Sequence, residues 1–291
     1  MARPALSASR SLEIIDFLST FPWRGFTLSE IARAAKINVA SCHAVLTALT
    51  QGGYLARGPD QRTYTLGPAL VAIGQAALTS QPLVARAKRA AEELFRDLGV
   101  PVLLSAVVGD EILAVVSIAD AAGRGPIMWV GERMPLVAPV GSPFLAWSPE
   151  PAIEAWLARN ASMNETRAAE WRHTLALTRE RGYQVTLRAP GSPGIGKLMA
   201  AMASGRRLPD YKGEVAKLIN SLDQLSQPET IVPEQFYDVL LIAAPLFDQN
   251  GEAAFNLCLG GFPEKISGKT INDYTDRLVN TCLQLMRMDR S

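Results

Sequence analysis

Between Thr27 and Gly53 the chain encodes two helices that cannot stand alone, and their spacing restricts the fold more than any other feature. Thr27-Leu28-Ser29-Glu30 is a capping box, in which the threonine hydroxyl and the glutamate carboxylate each satisfy a free backbone donor at a helix start. The helix it opens, Leu28 to Ala35, has only about two turns and needs neighbours to survive. After the short link Lys36-Ile37-Asn38, Asn38 caps a longer helix over Val39–Gln51, stopped by Gly52-Gly53. Val45, Leu46 and Leu49 are expected to face inward, with Ser41, His43, Ala44 and Thr47 outward. At 1.5 Å per residue this helix is about 20 Å long, and its diameter of about 10–12 Å suits a B-DNA major groove.

The flanks complete the pattern. A first helix over about Ser9–Ser19 offers Leu12, Ile15, Phe17 and Leu18 as an inward stripe and ends in a loop with Pro22 and Gly25. After Gly53, "YLAR" turns through "GPDQ" into "RTYTL", a two-stranded wing with Arg62 near its tip. This order predicts a winged helix-turn-helix, either reading DNA or serving as a helical packing unit. Charge favours DNA: residues 1–80 hold seven basic and four acidic side chains, a net +3, against 22 and 24, a net −2, in the remainder.

"GPALVAIGQAALTSQ" (67–81) reads as a small, apolar linker helix that should bury Leu70, Val71, Ile73 and Leu78, against its own body or a symmetry-related copy. The body opens with a helix over Pro82–Leu98, stopped by Gly99. "VPVLLSAVVGDEILAVVSIAD" is a hairpin about Gly109-Asp110, "GPIMWVGERM" a further strand, and Ser142-Pro143 cap and open a short helix. Pro151–Arg159, Glu165–Arg181 and residues 211–225 read as helices, and "YQVTL" as a strand. "DVLLIAAPLFDQNGEAAFNLCLGGF" is a hairpin turning at Asn250-Gly251, followed by a helix from about Lys269 to Arg287 that buries Ile271, Tyr274, Leu278, Cys282 and Leu285. Helices around an antiparallel sheet give an α+β class.

Residues 11–78 resemble the N-terminal region of the IclR family of bacterial transcription regulators, through "LSEIARAA", the helix carrying His43, "GGYL" and "YTLGPAL". "GERMPLVAPVGSPFLA", "RERGYQV" and "IAAPLFDQNGEAAFNLCL" resemble its GAF-like effector domain. The resemblance implies a winged helix-turn-helix over 1–67, a linker helix over 68–81 and an effector-binding and oligomerisation domain over 82–291. It implies a cytoplasmic regulator, with a double-stranded DNA operator, a small-molecule effector and its own copies, as dimer or tetramer, for partners. The candidate DNA contacts are Thr27, Asn38, Val39, Ser41, His43, Ala44, Thr47, Arg62 and Tyr64. The family usually has glycine where this chain has Lys36, opens its recognition helix with proline, a basic residue and Ser-Thr where this chain has Asn38-Val39-Ala40-Ser41, and often has a basic residue at Ala44. These losses weaken phosphate anchoring, so reading leans on thymine methyls or on paired heads.

The family's pocket stretch, P-x-H-x-T-x-x-G, corresponds here to Pro135, with Val137 for the histidine, Pro139 for the threonine and Ser142 for the glycine. A polar family position on a later strand is Leu241, and Met128, Trp129 and Val140 are expected neighbours. The effector is therefore expected to be mostly apolar, with helix-start amides after Gly141 and Ser142 able to hold a carboxylate.

Catalytic readings are weaker. "GSPGIGKL" (191–198) falls one residue short of a phosphate-binding loop: Leu198 stands where a hydroxyl should hold magnesium, and Pro193 removes a backbone donor. A nucleotide-hydrolysing enzyme built on this loop stays as an alternative, as does a ligand-binding module with weakened DNA affinity. Cys42 beside His43 lies in the reading helix, and Glu170 with His173 is half of a metal motif whose other half is missing. No nucleophile–base set, metal spacing or cofactor motif is expected. Three distant cysteines suit reduced thiols. No apolar run approaches the length of a membrane span, and the N-terminus lacks the apolar segment of a secretory signal.

Overall fold

The computed structural model describes residues 5–19, 24–120, 125–188, 225–262 and 265–289. The 191–198 stretch and the helix expected over 211–225, apart from Leu225, lie outside the described residues. The chain divides into two compact units, Met1–Pro82 and Leu83–Ser291.

In the first unit α1 spans Leu6–Ser19, β1 Phe26–Thr27, α2 Leu28–Ala34 and α3 Val39–Gln51. β2 (Leu55–Arg57) and β3 (Thr63–Leu66) form the wing, and β1 pairs with β3 to give a three-stranded sheet in the order β1-β3-β2. The capping box is formed: the Glu30 carboxylate accepts from the Thr27 amide at 2.8 Å, and the Thr27 hydroxyl accepts from the Glu30 amide at 3.4 Å. α2 ends in a Schellman turn, with the Lys36 amide donating to Arg33 and the Ile37 amide to Ala32. Lys36 sits there at φ 53°, in the left-handed region that favours glycine. Asn38 Oδ1 then accepts from the Ser41 amide at 2.8 Å, starting α3.

The core joins Ile14 and Leu18 of α1 to Phe26, Ile31, Cys42, Leu46, Leu55 and Tyr64. Of the inward stripe expected for α1, Leu18 is buried and Phe17 packs on the core, but Ile14 rather than Ile15 is fully buried and Leu12 is 63 % exposed. Ile14 and Leu18 are four residues apart on one helix face, while Leu12 lies round toward solvent. β1, two residues long, has too little pattern to be read in advance. α4, Ala69–Thr79, buries no residue, and Val71 is 75 % exposed, so the burial expected for the linker helix is not supplied by its own unit.

The second unit contains α5 (Pro82–Leu98), β4 (Val102–Val108), β5 (Glu111–Ile118), β6 (Arg133–Pro135), α6 (Ser142–Leu145), α7 (Glu150–Ala158), α8 (Glu165–Arg181) and β7 (Gln184–Leu187). β8 (Phe236–Tyr237), β9 (Val239–Phe247), β10 (Ala253–Gly260), β11 (Ile266–Ser267) and α9 (Gly268–Asp289) follow. Six strands form an antiparallel sheet in the order β6-β5-β4-β10-β9-β7. Val102 and Leu104 of β4, Leu257 and Leu259 of β10 and Val185 of β7 pack into one core with Ala87, Ala91 and Leu94 of α5 and Ile271, Leu278 and Leu285 of α9. Alternation along the strands turns Leu103, Ser105, Asn256, Cys258 and Ala243 to the opposite face.

Two local expectations change. The stretch "GPIMWVGERM" is not a strand over its length: Ile127 and Met128 are buried, but Gly131 at φ 85° makes a turn, and the strand begins only at Arg133. The cap of α6 is Gly141 at φ 84°, not Ser142.

Candidate nucleic-acid face and ligand cavity

α3 is fixed on one side by Cys42 and Leu46, both wholly buried. Its other side carries Val39, His43, Ala44 and Ala48 exposed, with Ser41 and Thr47 half-buried at the margins. The Thr47 hydroxyl donates to the His43 carbonyl at 2.8 Å. Asn38 is exposed, although its side chain is engaged in the cap. Thr27 is held by Glu30 in the capping box, which positions the start of α2 and leaves its hydroxyl a structural role. Hydrogen bonds from Thr27, the largest influence, and the nearby Arg24 guanidinium hold the Glu30 carboxyl below its ordinary value.

The wing tip is ordered by Asp60, whose Oδ1 accepts from the Arg62 amide at 3.0 Å, the Thr63 amide at 3.2 Å and the Thr63 hydroxyl at 2.9 Å. These bonds lower the Asp60 pKa and leave Arg62 exposed beyond the turn. Tyr64 is a correction. It is 2 % exposed and belongs to the head core, with the Arg57 guanidinium 4.2 Å over its ring. Strand alternation puts Thr63 and Thr65 outward and Tyr64 inward, so it is not placed to touch DNA.

In the second unit a cavity of about 120 Å³ lies between the sheet and the α6–α8 side. Of the expected effector residues, Met128, Pro139, Val140, Gly141, Ser142 and Leu241 line it. Trp129 and Val137 do not: Trp129 is 66 % exposed, and Val137 is buried elsewhere. The Gly131 turn carries Trp129 outward, because its amide is bound by the Glu132 carboxylate at 2.9 Å and its carbonyl by the Glu132 amide. The loop before α6 is pinned by α7 and its end. Trp156 Nε1 donates to the Val140 carbonyl at 2.9 Å, and Asn160 donates to Ala138 at 2.8 Å.

A polar set in this apolar wall was not foreseen. Ser105, Gln184, Thr186 and Asn256 all line the cavity and all are buried. The Ser142 hydroxyl donates to Gln184 Oε1 at 2.9 Å, and Gln184 Nε2 donates to the Thr186 hydroxyl at 3.1 Å. Asn256 stands opposite Ser105 across β10 and β4. Among the described residues its Oδ1 is buried without a hydrogen-bond partner, as is Nε1 of Trp171, another wall residue. The signal was present in the sequence: Asn256 interrupts an apolar strand at the same parity as Cys258, and Gln184 and Thr186 flank the buried Val185. The start of α6 is a poor anion cradle, since Pro143 has no amide hydrogen and the Phe144 amide donates to Gly141. Burial pushes the Cys258 thiol up to about 12.

The catalytic candidates separate. Cys42 is buried and His43 exposed on the opposite side of α3. Glu170 pairs with Arg167 at 2.9 Å, while His173 lies 3.6 Å from Glu229, on a solvated helix face. Among the described residues no cluster of three or more His, Cys, Asp or Glu could hold a metal, and no helix is long and apolar enough to cross a membrane.

Residues 75–188 match the family described as "Bacterial transcriptional regulator IclR C-terminal". The chain is 26 % identical over 213 residues to a glycerol operon regulatory protein of Streptomyces coelicolor, covering 72 % of this chain and 83 % of that protein. Its fold is similar to that of an IclR transcriptional regulator from Alicyclobacillus acidocaldarius, at TM-score 0.72 and 20 % identity over 99 % of this chain and 100 % of the other. It is also similar to that of an IclR homolog from Microbacterium hydrocarbonoxydans solved with 4-hydroxybenzoate, at TM-score 0.65 and 17 % identity over 98 % and 99 % of the two chains. The curated relatives are transcription regulators rather than enzymes. Residues 75–188 thus match the C-terminal domain of IclR transcription regulators, and the chain shares a mixed helix-and-sheet fold with IclR regulators over nearly its whole length.

Proposed function

We propose that residues 1–67 read a double-stranded DNA operator and that a small, largely apolar effector in the cavity of 82–291 changes operator affinity. Helix 68–81 connects the two. The observation that carries the reading is the outer side of α3, where Val39, His43 and Ala44 stand exposed on a helix locked into its unit from behind by Cys42 and Leu46. His43 can hydrogen-bond a base edge, and Val39 and Ala44 suit thymine methyl groups. Arg62 at the wing tip and Lys36 beside the start of α3 are exposed cations for phosphates. The apolar, exposed side of α4, with Val71 and Ile73, supports pairing of two copies. Two heads then address major grooves about 34 Å apart. A coupling of about 1–3 kcal/mol between cavity and operator is enough for regulation. The neighbour solved with 4-hydroxybenzoate supports an effector of that size.

Fluorescence anisotropy with a labelled fragment of the adjacent promoter, at several salt concentrations, tests this. Salt-sensitive binding that weakens in His43→Ala is expected. The uncharged outer side of α3 favours a second reading, a ligand-binding module that has lost DNA affinity. Ligand-induced thermal stabilisation with no DNA retention at any salt concentration selects that one.

A further inference from the structure

Asn256 lies in the middle of a strand whose neighbours Leu257 and Cys258 are buried and apolar. It is 2 % exposed, lines the cavity, and leaves Oδ1 without a donor among the described residues. Such an acceptor is costly to bury, and an apolar residue of the same shape would relieve it. Ser142 is engaged with Gln184, Gln184 with Thr186, and Ser105 with the Cys258 sulfur, while the Trp171 indole N–H, a donor, stays without an acceptor among the described residues.

We propose that the occupant of this cavity is an uncharged alcohol or phenol whose hydroxyl donates to the Asn256 carboxamide while its apolar body rests on Ala243, Leu103 and Met128. The proposal rests on the reading of the cavity as the effector site, and names its ligand class. Ala243, Leu103 and Met128 form one buried apolar cluster with Cys258, which gives the body of the ligand its surface. The rise of the Cys258 thiol to about 12 comes from desolvation, and the same desolvation disfavours a charged group at the neighbouring Asn256. A neutral hydroxyl meets the acceptor without that penalty.

Isothermal titration of the full chain with phenol, toluene and benzoate, on wild type, Asn256→Leu and Asn256→Ala, decides the matter. The phenol-to-toluene affinity ratio cancels the two probes' different hydration when compared between wild type and variant. That ratio is expected to fall about ten-fold in both variants, and benzoate is expected to bind wild type more weakly than phenol. Asn256→Ala keeps the test alive if the leucine variant fails to fold. An unchanged ratio, or benzoate binding more tightly than phenol, overturns the proposal. If the ratio changes as expected but phenol leaves operator affinity unaltered in the anisotropy assay, the ligand class stands and the regulatory reading falls. If none of the three probes binds, both fall.

Discussion

Replacing Lys36 with glycine should stabilise the head and weaken its hold on DNA, and two variants separate these effects. Lys36 occupies the left-handed position of a Schellman turn at φ 53°. A side chain there costs about 1–2 kcal/mol from Cβ crowding against the following carbonyl. Glycine relieves this but loses about 0.5–1 kcal/mol more backbone entropy on folding than alanine does. The net gain is about 0.5–1 kcal/mol, or roughly 2–8 °C in Tm for a domain of 60–100 residues. Lys36 is also exposed beside the Asn38 cap of α3. Loss of one phosphate contact lowers the slope of log K against log salt by about 0.9. Lys36→Ala removes the same charge and keeps the crowding, so it should share the salt effect without the stabilisation. Differential scanning calorimetry and anisotropy titrations at four salt concentrations read both quantities. A Lys36→Gly head no more stable than Lys36→Ala refutes the strain argument, and an unchanged slope in both variants refutes the phosphate contact.

Thr27→Ala removes the capping box and should cost the head about 1 kcal/mol by urea denaturation. Because the Glu30 pKa is lowered on folding, its contribution is full above its ordinary value near 4.5 and is lost as pH falls through the depressed folded value. Glu30→Gln should therefore flatten the head's loss of stability on acidification below about pH 4.5, as followed by circular dichroism. Tyr64→Phe should leave operator affinity unchanged, whereas Tyr64→Ala should cost about 3–5 kcal/mol of stability by opening the core. Gly141→Ala should destabilise the body by more than about 1 kcal/mol in thermal melts, since residue 141 is at φ 84° and a β-carbon there would stand 2.8 Å from Ile112 Cδ1.

The helices of the head were legible because their signals are local. A capping box, an Asn cap and a glycine pair act within a few residues of themselves, so Leu28–Ala34 and Val39–Gln51 fall within a residue of where the sequence puts them. Lys36 kept its turn without the glycine because Ile31, Ala32 and Ile37 are held by the core around it. The site was legible by halves. Gly141, Ser142 and Leu241 could be placed on the cavity through family likeness, but Trp129 could not be excluded, because only the Gly131 turn decides which way its segment points.

Among the described residues the amino-acid order alone settled which stretches coil, nearly where they stop, and which side of α3 meets solvent, because backbone capping and apolar spacing are short-range effects. The tertiary structure alone decided that Tyr64 faces inward, and that Ser105, Gln184, Thr186 and Asn256, drawn from three separate strands, share one wall. That grouping depends on strand order and register, which are fixed by pairings between residues far apart in the chain and leave no periodic trace in any one segment.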